Sequence, residues 1–296
     1  MTIKLTVPRI YHSSDCCHSL FKLWQAVNQQ LETSSDLTLD FQGCKFLSHI
    51  GVAFLGGLAH HVRAQGGQLN FDLETLKSNI RMNLAQNGFL FSLGAGQAPW
   101  SGNSIPYRND DRQDSEAIMT YLLDHWLGKG WVNISSRLQE AIAGQVWELY
   151  ANAFEHSHSP IGVFSCGQHY PNKRELHLTI IDFGQGIPTS VQSLSQNANL
   201  NSSQSLEWAF QAGTSTAANG VSRGTGLNSL QSFILTNRGN LKIFSNDGYV
   251  NIKDNEVKYE TTAIDFEGTL INIAFKCDES YYCFASEVQD TDRQWF

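Results

Sequence analysis

Apolar positions along the chain alternate between a period of two and a helical period, and the elements they predict follow one another without an internal repeat. Residues 3–7 (Ile-Lys-Leu-Thr-Val) alternate as a strand. Over residues 13–32, Cys17, Leu20, Phe21, Leu23, Trp24, Val27 and Leu31 recur at helical spacing. Residues 37–41 predict a second strand, and residues 50–64 an apolar helix with Val52, Phe54, Leu55, Leu58 and Val62. Beyond Gly66-Gly67 comes a third strand at 68–71, then a helix over 73–85 that stops at Asn87-Gly88. This alternation predicts a small α/β layer on a mixed sheet. Residues 93–114 change character, with Gly94, Gly96, Pro99, Gly102, Pro106 and the polar run Arg108-Asn-Asp-Asp-Arg112. They read as a connection between domains, pinned to a surface by Trp100 and Tyr107.

The helical period returns over 115–128 (Ile118, Met119, Leu122, Leu123, Trp126) and over 134–157. Strands at 161–168 and 176–181 are split by the turn Pro171-Asn-Lys-Arg174, and the second runs into Asp182-Phe-Gly-Gln-Gly-Ile-Pro188. Small polar residues fill 213–220, after which Ser222-Arg-Gly-Thr-Gly-Leu-Asn228 opens a helix reaching Thr236. Four strands near 241–244, 249–252, 257–263 and 269–275 complete the pattern.

Composition adds little to the fold but removes several functions. A chain of 296 residues with 41% hydrophobic and 16% charged residues has room for two packed domains. Its net charge of -8 argues against general binding of nucleic acid or an anionic membrane. The six cysteines form no CxxC pair and fit free thiols in a reducing compartment better than disulfides or zinc ligands. Neither a secretory leader pattern nor an apolar run of roughly 18 residues is present, so a cytoplasmic location is expected.

Candidate chemistry concentrates in the C-terminal two-thirds. On the helix over 134–157, Leu138, Ile142, Val146, Leu149 and Ala153 make the apolar stripe, and Glu148, Asn152 and Glu155 make a polar ridge beside it. A carboxylate and a neutral oxygen donor at the edge of a core-facing stripe suit a general base and a magnesium ligand; an ordinary solvated face is the alternative. Asp182 ends an apolar strand and is followed by Gly184 and Gly186, so an acid able to accept from a ligand amino group sits where backbone can approach a flat ring. A plain turn after an edge strand explains the same glycines. Gly224 and Gly226 at a helix start form a natural phosphate cradle.

In that order, these segments over residues 115–276 resemble the ATP-binding domain of the GHKL superfamily, which includes anti-sigma-factor serine kinases, histidine kinases and ATPases of the Hsp90 and MutL type. The resemblance implies an α/β sandwich with a mixed sheet and helices on one face. It implies Glu148 as the general base, Asn152 as the Mg2+ ligand and Asp182 as the adenine-reading acid. Gly184 and Gly186 would line the base, and Gly224, Thr225 and Gly226 would hold phosphate below a lid between Trp208 and Arg223. Thr269 would support adenine recognition, with Arg223 and Asn228 flanking the phosphate segment. The run Ala-Asn-Ala-Phe-Glu-His-Ser157 is most similar to the anti-sigma-factor kinase version, so ATP/ADP and Mg2+ are the implied cofactors.

Residues 1–91 resemble the STAS domain of anti-sigma-factor antagonists, through Leu37-Thr-Leu-Asp-Phe-Gln-Gly-Cys-Lys-Phe-Leu-Ser-His-Ile-Gly-Val52 and the helix ending at Gly88. Where the family has Asp-Ser-Ser-Gly, this chain has Ser48-His49-Ile50-Gly51. His49 stands at the phosphorylated serine, which points to a scaffolding module. The organisation expected is therefore a STAS-like domain (1–91), a linker (92–114), an ATP-binding domain (115–276) and a C-terminal tail (277–296). The expected function is Mg-ATP-dependent signalling as an ATPase or serine/threonine kinase acting by partner switching. A nucleotide-gated interaction module with little turnover is the alternative. The implied partner is a STAS-like or sigma-factor-like regulatory protein, with a homodimer as a further possibility.

Overall fold

A computed structural model describes residues 3–11, 14–33, 36–211 and 225–292. The first unit alternates β1 (Ile3–Thr6), α1 (Ser14–Leu31), β2 (Asp36–Asp40), α2 (His49–Ala64), β3 (Gln68–Asp72) and α3 (Ser78–Gln86), with a short α4 (Phe89–Ser92). Its three strands lie in the order β1-β2-β3 and all pairs are parallel. The second unit holds β4 (Ser104–Asp110), α5 (Ser115–Thr120) with a π-helical continuation over Tyr121–Leu127, α6 (Ser136–His156), β5 (Val163–Tyr170) and β6 (Glu175–Asp182). It continues with α7 (Gly186–Gln192), α8 (Ser202–Ala209), α9 (Thr225–Thr236), β7 (Asn240–Ser245), β8 (Gly248–Lys253), β9 (Glu256–Thr261), β10 (Thr269–Lys276) and α10 (Ala285–Asp292). Its seven strands run β4-β5-β6-β10-β7-β8-β9, every pair antiparallel. The class is α/β, as expected, but each sheet has a single sense where mixed sheets were anticipated.

Alternation along β6 and β10 sorts the sheet into two faces. Leu178, Ile180, Ile271 and Ile273 join a core with α6 and α9. Ile181, Phe183 and Leu270 join a different core, one continuous with the interior of the N-terminal unit. Helices therefore cover one face, and the N-terminal unit covers part of the other. α2 is the element that makes this possible. Eleven of its residues are buried, from His49 through Leu58 and again at Val62. A helix apolar on all sides must be covered on all sides, and α2 packs both on β3 and on β4, β5 and β6.

Two expectations about boundaries are corrected. Within the 92–114 segment read as a linker, Ser104–Asp110 is β4, an edge strand paired with β5 through a register shift between Ile105 and Arg108. Tyr107 does anchor the segment, since its ring fills the space left by Gly56 of α2, while Trp100 is exposed. Within the 277–296 tail, Tyr282 bridges to Ile134, and Glu287 accepts from the Ser135 hydroxyl at 2.9 Å at the start of α6. The tail thus closes onto that helix.

Ser48 and His49 are built into the junction between the two units. Ser48 is 1% exposed and donates to the Tyr11 carbonyl at 3.0 Å. His49 Nε2 meets Asn272 Oδ1 of β10 at 2.8 Å, and its Nδ1 meets the Tyr170 hydroxyl of β5 at 3.1 Å. Because Asn272 Oδ1 also accepts from Thr179 at 3.0 Å, the network assigns the His49 proton to Nε2. His49→Ala is expected to cost roughly 1–3 kcal/mol, because it leaves buried partners unsatisfied. Urea unfolding of the full chain reads this directly, and an unchanged midpoint would deny the junction any energetic role.

Candidate functional site

Asp182 is placed by the last residue of a strand buried along nearly its whole length. It is 4% exposed and lies directly opposite Thr269, the first residue of β10. Its Oδ1 accepts from the Gly184 N–H at 2.9 Å. Burial pushes the carboxyl up to about 7, against the Gly184 N–H, the Thr269 N–H and hydroxyl, and the Ser157 hydroxyl, which hold it down. Among the described residues no cation pairs with it. Burying a carboxylate with only neutral donors costs free energy, which these hydrogen bonds offset in part.

The turn after Asp182 is clamped by the end of α6. Gln185 donates its N–H to the Ser157 carbonyl at 2.7 Å and its side-chain amide to the His156 carbonyl at 3.0 Å. A side chain on Gly184 would overlap the Ser157 carbonyl, and Gly186, at φ +81°, lies against Asn246. The glycines are therefore required by the chain's own packing, whatever else approaches them. Ser245, at the end of β7, ties the far side: its hydroxyl meets the Thr269 hydroxyl at 2.9 Å, the Gly268 carbonyl at 3.0 Å and the Ile187 N–H at 2.8 Å. Ser245 and Ser157 were not singled out from the sequence. The available signal was a hydroxyl at residue 245, directly after the strand segment Leu241-Lys-Ile-Phe244.

The C-terminal end of α6 reaches this end of the sheet through His156 and Ser157, and the polar ridge lies along the helix before it. Ser135 caps the helix by accepting from the Leu138 N–H at 3.2 Å. Tyr150 fixes its rotation by donating to Ser165 of β5 at 2.8 Å. Glu148 and Asn152 are half-buried beside the stripe, and neither side chain has a hydrogen-bond partner among the described residues. Asn152 sits ~6 Å and Glu148 ~12 Å along the axis from His156, at the rise of an α-helix. Glu155 is exposed and accepts from Gln113 at 3.2 Å. α9 lies alongside α6 and begins at Thr225 and Gly226. Arg223, Gly224 and the lid segment from 212 onward lie outside the described residues.

This donor set fits a magnesium-bound nucleotide. Magnesium keeps most of its ligands as phosphate and water oxygens and needs few from protein, so one Asn152 is compatible with it. Among the described residues no group of three or more His, Cys, Asp or Glu side chains gathers to hold a metal by itself. No helix among the described residues is long and apolar enough to cross a membrane. No protein-family model matches the chain, and no curated protein is significantly similar to it.

Proposed function

We propose that the chain binds Mg-ATP at the end of the sheet where Asp182, Thr269 and α6 meet, and moves the γ-phosphoryl group to water or to a protein serine or threonine. The observation that carries this reading is the buried Asp182 carboxyl, with no cation paired to it among the described residues, at the sheet end reached by the C-terminus of α6, the helix that carries the half-buried Glu148 and Asn152. Strongly perturbed acids in such settings mark functional sites. In this reading Asp182 accepts from the adenine amino group, Asn152 contributes a magnesium ligand, and Glu148 orients the attacking oxygen and takes its proton. Magnesium, when bound with the nucleotide, supplies charge neutralisation at the phosphates. The role is signalling of the anti-sigma-factor kinase type, in the cytoplasm, with a STAS-like or sigma-factor-like protein as partner. A nucleotide-gated module with little turnover is the second reading. It is favoured by the direct packing of the Asp182 turn on the N-terminal unit.

Titration calorimetry with ATP and GTP tests the binding step. ATP is expected to bind in a magnesium-dependent way, and GTP to bind far more weakly, because guanine presents an acceptor where adenine presents a donor. Ionised, Asp182 accepts a charge-assisted hydrogen bond, stronger than any its protonated form accepts. With its pKa near 7, affinity is expected to be highest above pH 7 and to fall by about ten- to a hundredfold as the carboxyl is protonated, levelling off toward pH 5. Equal ATP and GTP affinities, or a flat profile from pH 5.5 to 8, would remove Asp182 from the binding site.

A further inference from the structure

Asp182 and Phe183 are neighbours in sequence that serve opposite faces of the sheet. Asp182 belongs to the α6 side; Phe183 is buried in the core shared with the N-terminal unit. The Phe183 ring occupies the place on α2 where Gly57 has no side chain, and a Cβ there would overlap it. His61 stacks on the ring with centroids 5.9 Å apart, and Phe54 meets it at 5.7 Å. The strand opposite repeats the device. Phe266, just upstream of Thr269, stacks on Phe21 of α1 at 4.6 Å and meets Phe183 edge-on at 5.4 Å. Each of the two residues that face one another at the sheet end therefore has an aromatic anchor nearby in sequence, seated in the N-terminal unit.

From this geometry we infer that the N-terminal unit is a positioning part of the nucleotide site, holding Asp182 in register through the Phe183 ring seated on Gly57. The inference rests on the nucleotide reading of Asp182. α2 and the turn are close-packed, so they move together or separate; a packed contact has no soft intermediate. Coupling of this kind is reciprocal, and a nucleotide that fixes the Asp182 turn tightens the seating of α2 by the same factor. Phe183 touches no ligand in this scheme. It positions the residue that does.

Two full-length variants one residue apart on α2 isolate the effect. Gly57→Ala drives a methyl group into Phe183, whereas Gly56→Ala drives one into Tyr107 of β4, two strands away from Asp182. Both overpack the same interface. ATP affinity is measured by calorimetry, and hydrogen exchange of the Gly184 and Gln185 amides is measured without nucleotide. Gly57→Ala is expected to weaken ATP binding about tenfold and to speed exchange in the turn, with Gly56→Ala within about twofold of wild type. Adding Phe183→Leu to Gly57→Ala makes room for the methyl group and is expected to restore most of the affinity. If Gly57→Ala does not fold, Phe183→Leu alone, which loosens the seat without overpacking it, carries the same comparison. ATP affinity equal to wild type in the Gly57 variant, or equal losses in both glycine variants, overturns the inference alone. A wild-type chain that binds no adenine nucleotide overturns the nucleotide reading, and this inference with it.

Discussion

An Asp182→Asn chain is expected to be more stable than wild type when empty and to lose most of its affinity for ATP. Its carboxyl titrates near 7 in the folded protein, against an ordinary 3.8. Between those values the folded chain holds a proton that the unfolded chain releases, so stability falls as pH rises through this window and levels off above 7. Asparagine has no charge to desolvate and keeps an oxygen for the Gly184 N–H. The variant should therefore gain roughly 1–3 kcal/mol over wild type at pH 8 and progressively less toward pH 4. ATP affinity should drop by about ten- to a hundredfold, the worth of a charge-assisted hydrogen bond. Urea unfolding at pH 5 and pH 8, paired with calorimetry, reads both effects. Wild-type affinity in the variant would detach Asp182 from adenine recognition, and equal stability at pH 8 would show that the carboxylate is not desolvated.

This opposition between stability and binding also shows why the site was partly legible in the sequence. An acid ending an apolar strand conflicts with its neighbours, and local conflict of that sort is where function tends to lie. The ridge of Glu148 and Asn152 was visible because helical periodicity is local. Strands and helices with strong periods fell within a few residues of their predicted positions, including β1, α1, β2, α2 and β10. What was hidden depends on pairing across the chain. β4 carries Pro106 and a polar stretch, so its alternation is weak; as an edge strand with a register shift it tolerates both. Its Arg108–Asp110 ion pair, at 2.6 Å, brings together two charges that read as linker residues. Ser245 gains its role only from β10 lying beside β7. The seat of Phe183 on Gly57 joins positions far apart in sequence, yet half of it was readable: a helix as apolar as residues 50–58 needs cover on more than one side. The single-sense sheets escaped because periodicity reports which residues are buried and says nothing about strand direction.

Glu148→Ala separates the enzyme from the gated module. In the enzyme reading Glu148 acts only on the attacking oxygen, so its loss should leave ATP affinity within about twofold and lower phosphate release or transfer by 10²–10⁴-fold, the usual worth of a general base. Asn152→Ala should behave in the opposite way, losing the magnesium-dependent part of binding before any rate is measured. Neither change should much affect folding, because both side chains are half-buried and lack hydrogen-bond partners among the described residues. Glu148→Gln refines the comparison: it keeps the size of the side chain and removes its basicity, so a rate as low as that of the alanine variant assigns the loss to proton transfer. Phosphate release and labelling of lysate proteins by γ-labelled ATP give the rates. If wild type and Glu148→Ala bind ATP equally and neither releases nor transfers phosphate, turnover is not the function of this site. The packing of the Asp182 turn against α2 would then be its output, with nucleotide binding read as a change in how the N-terminal unit is held.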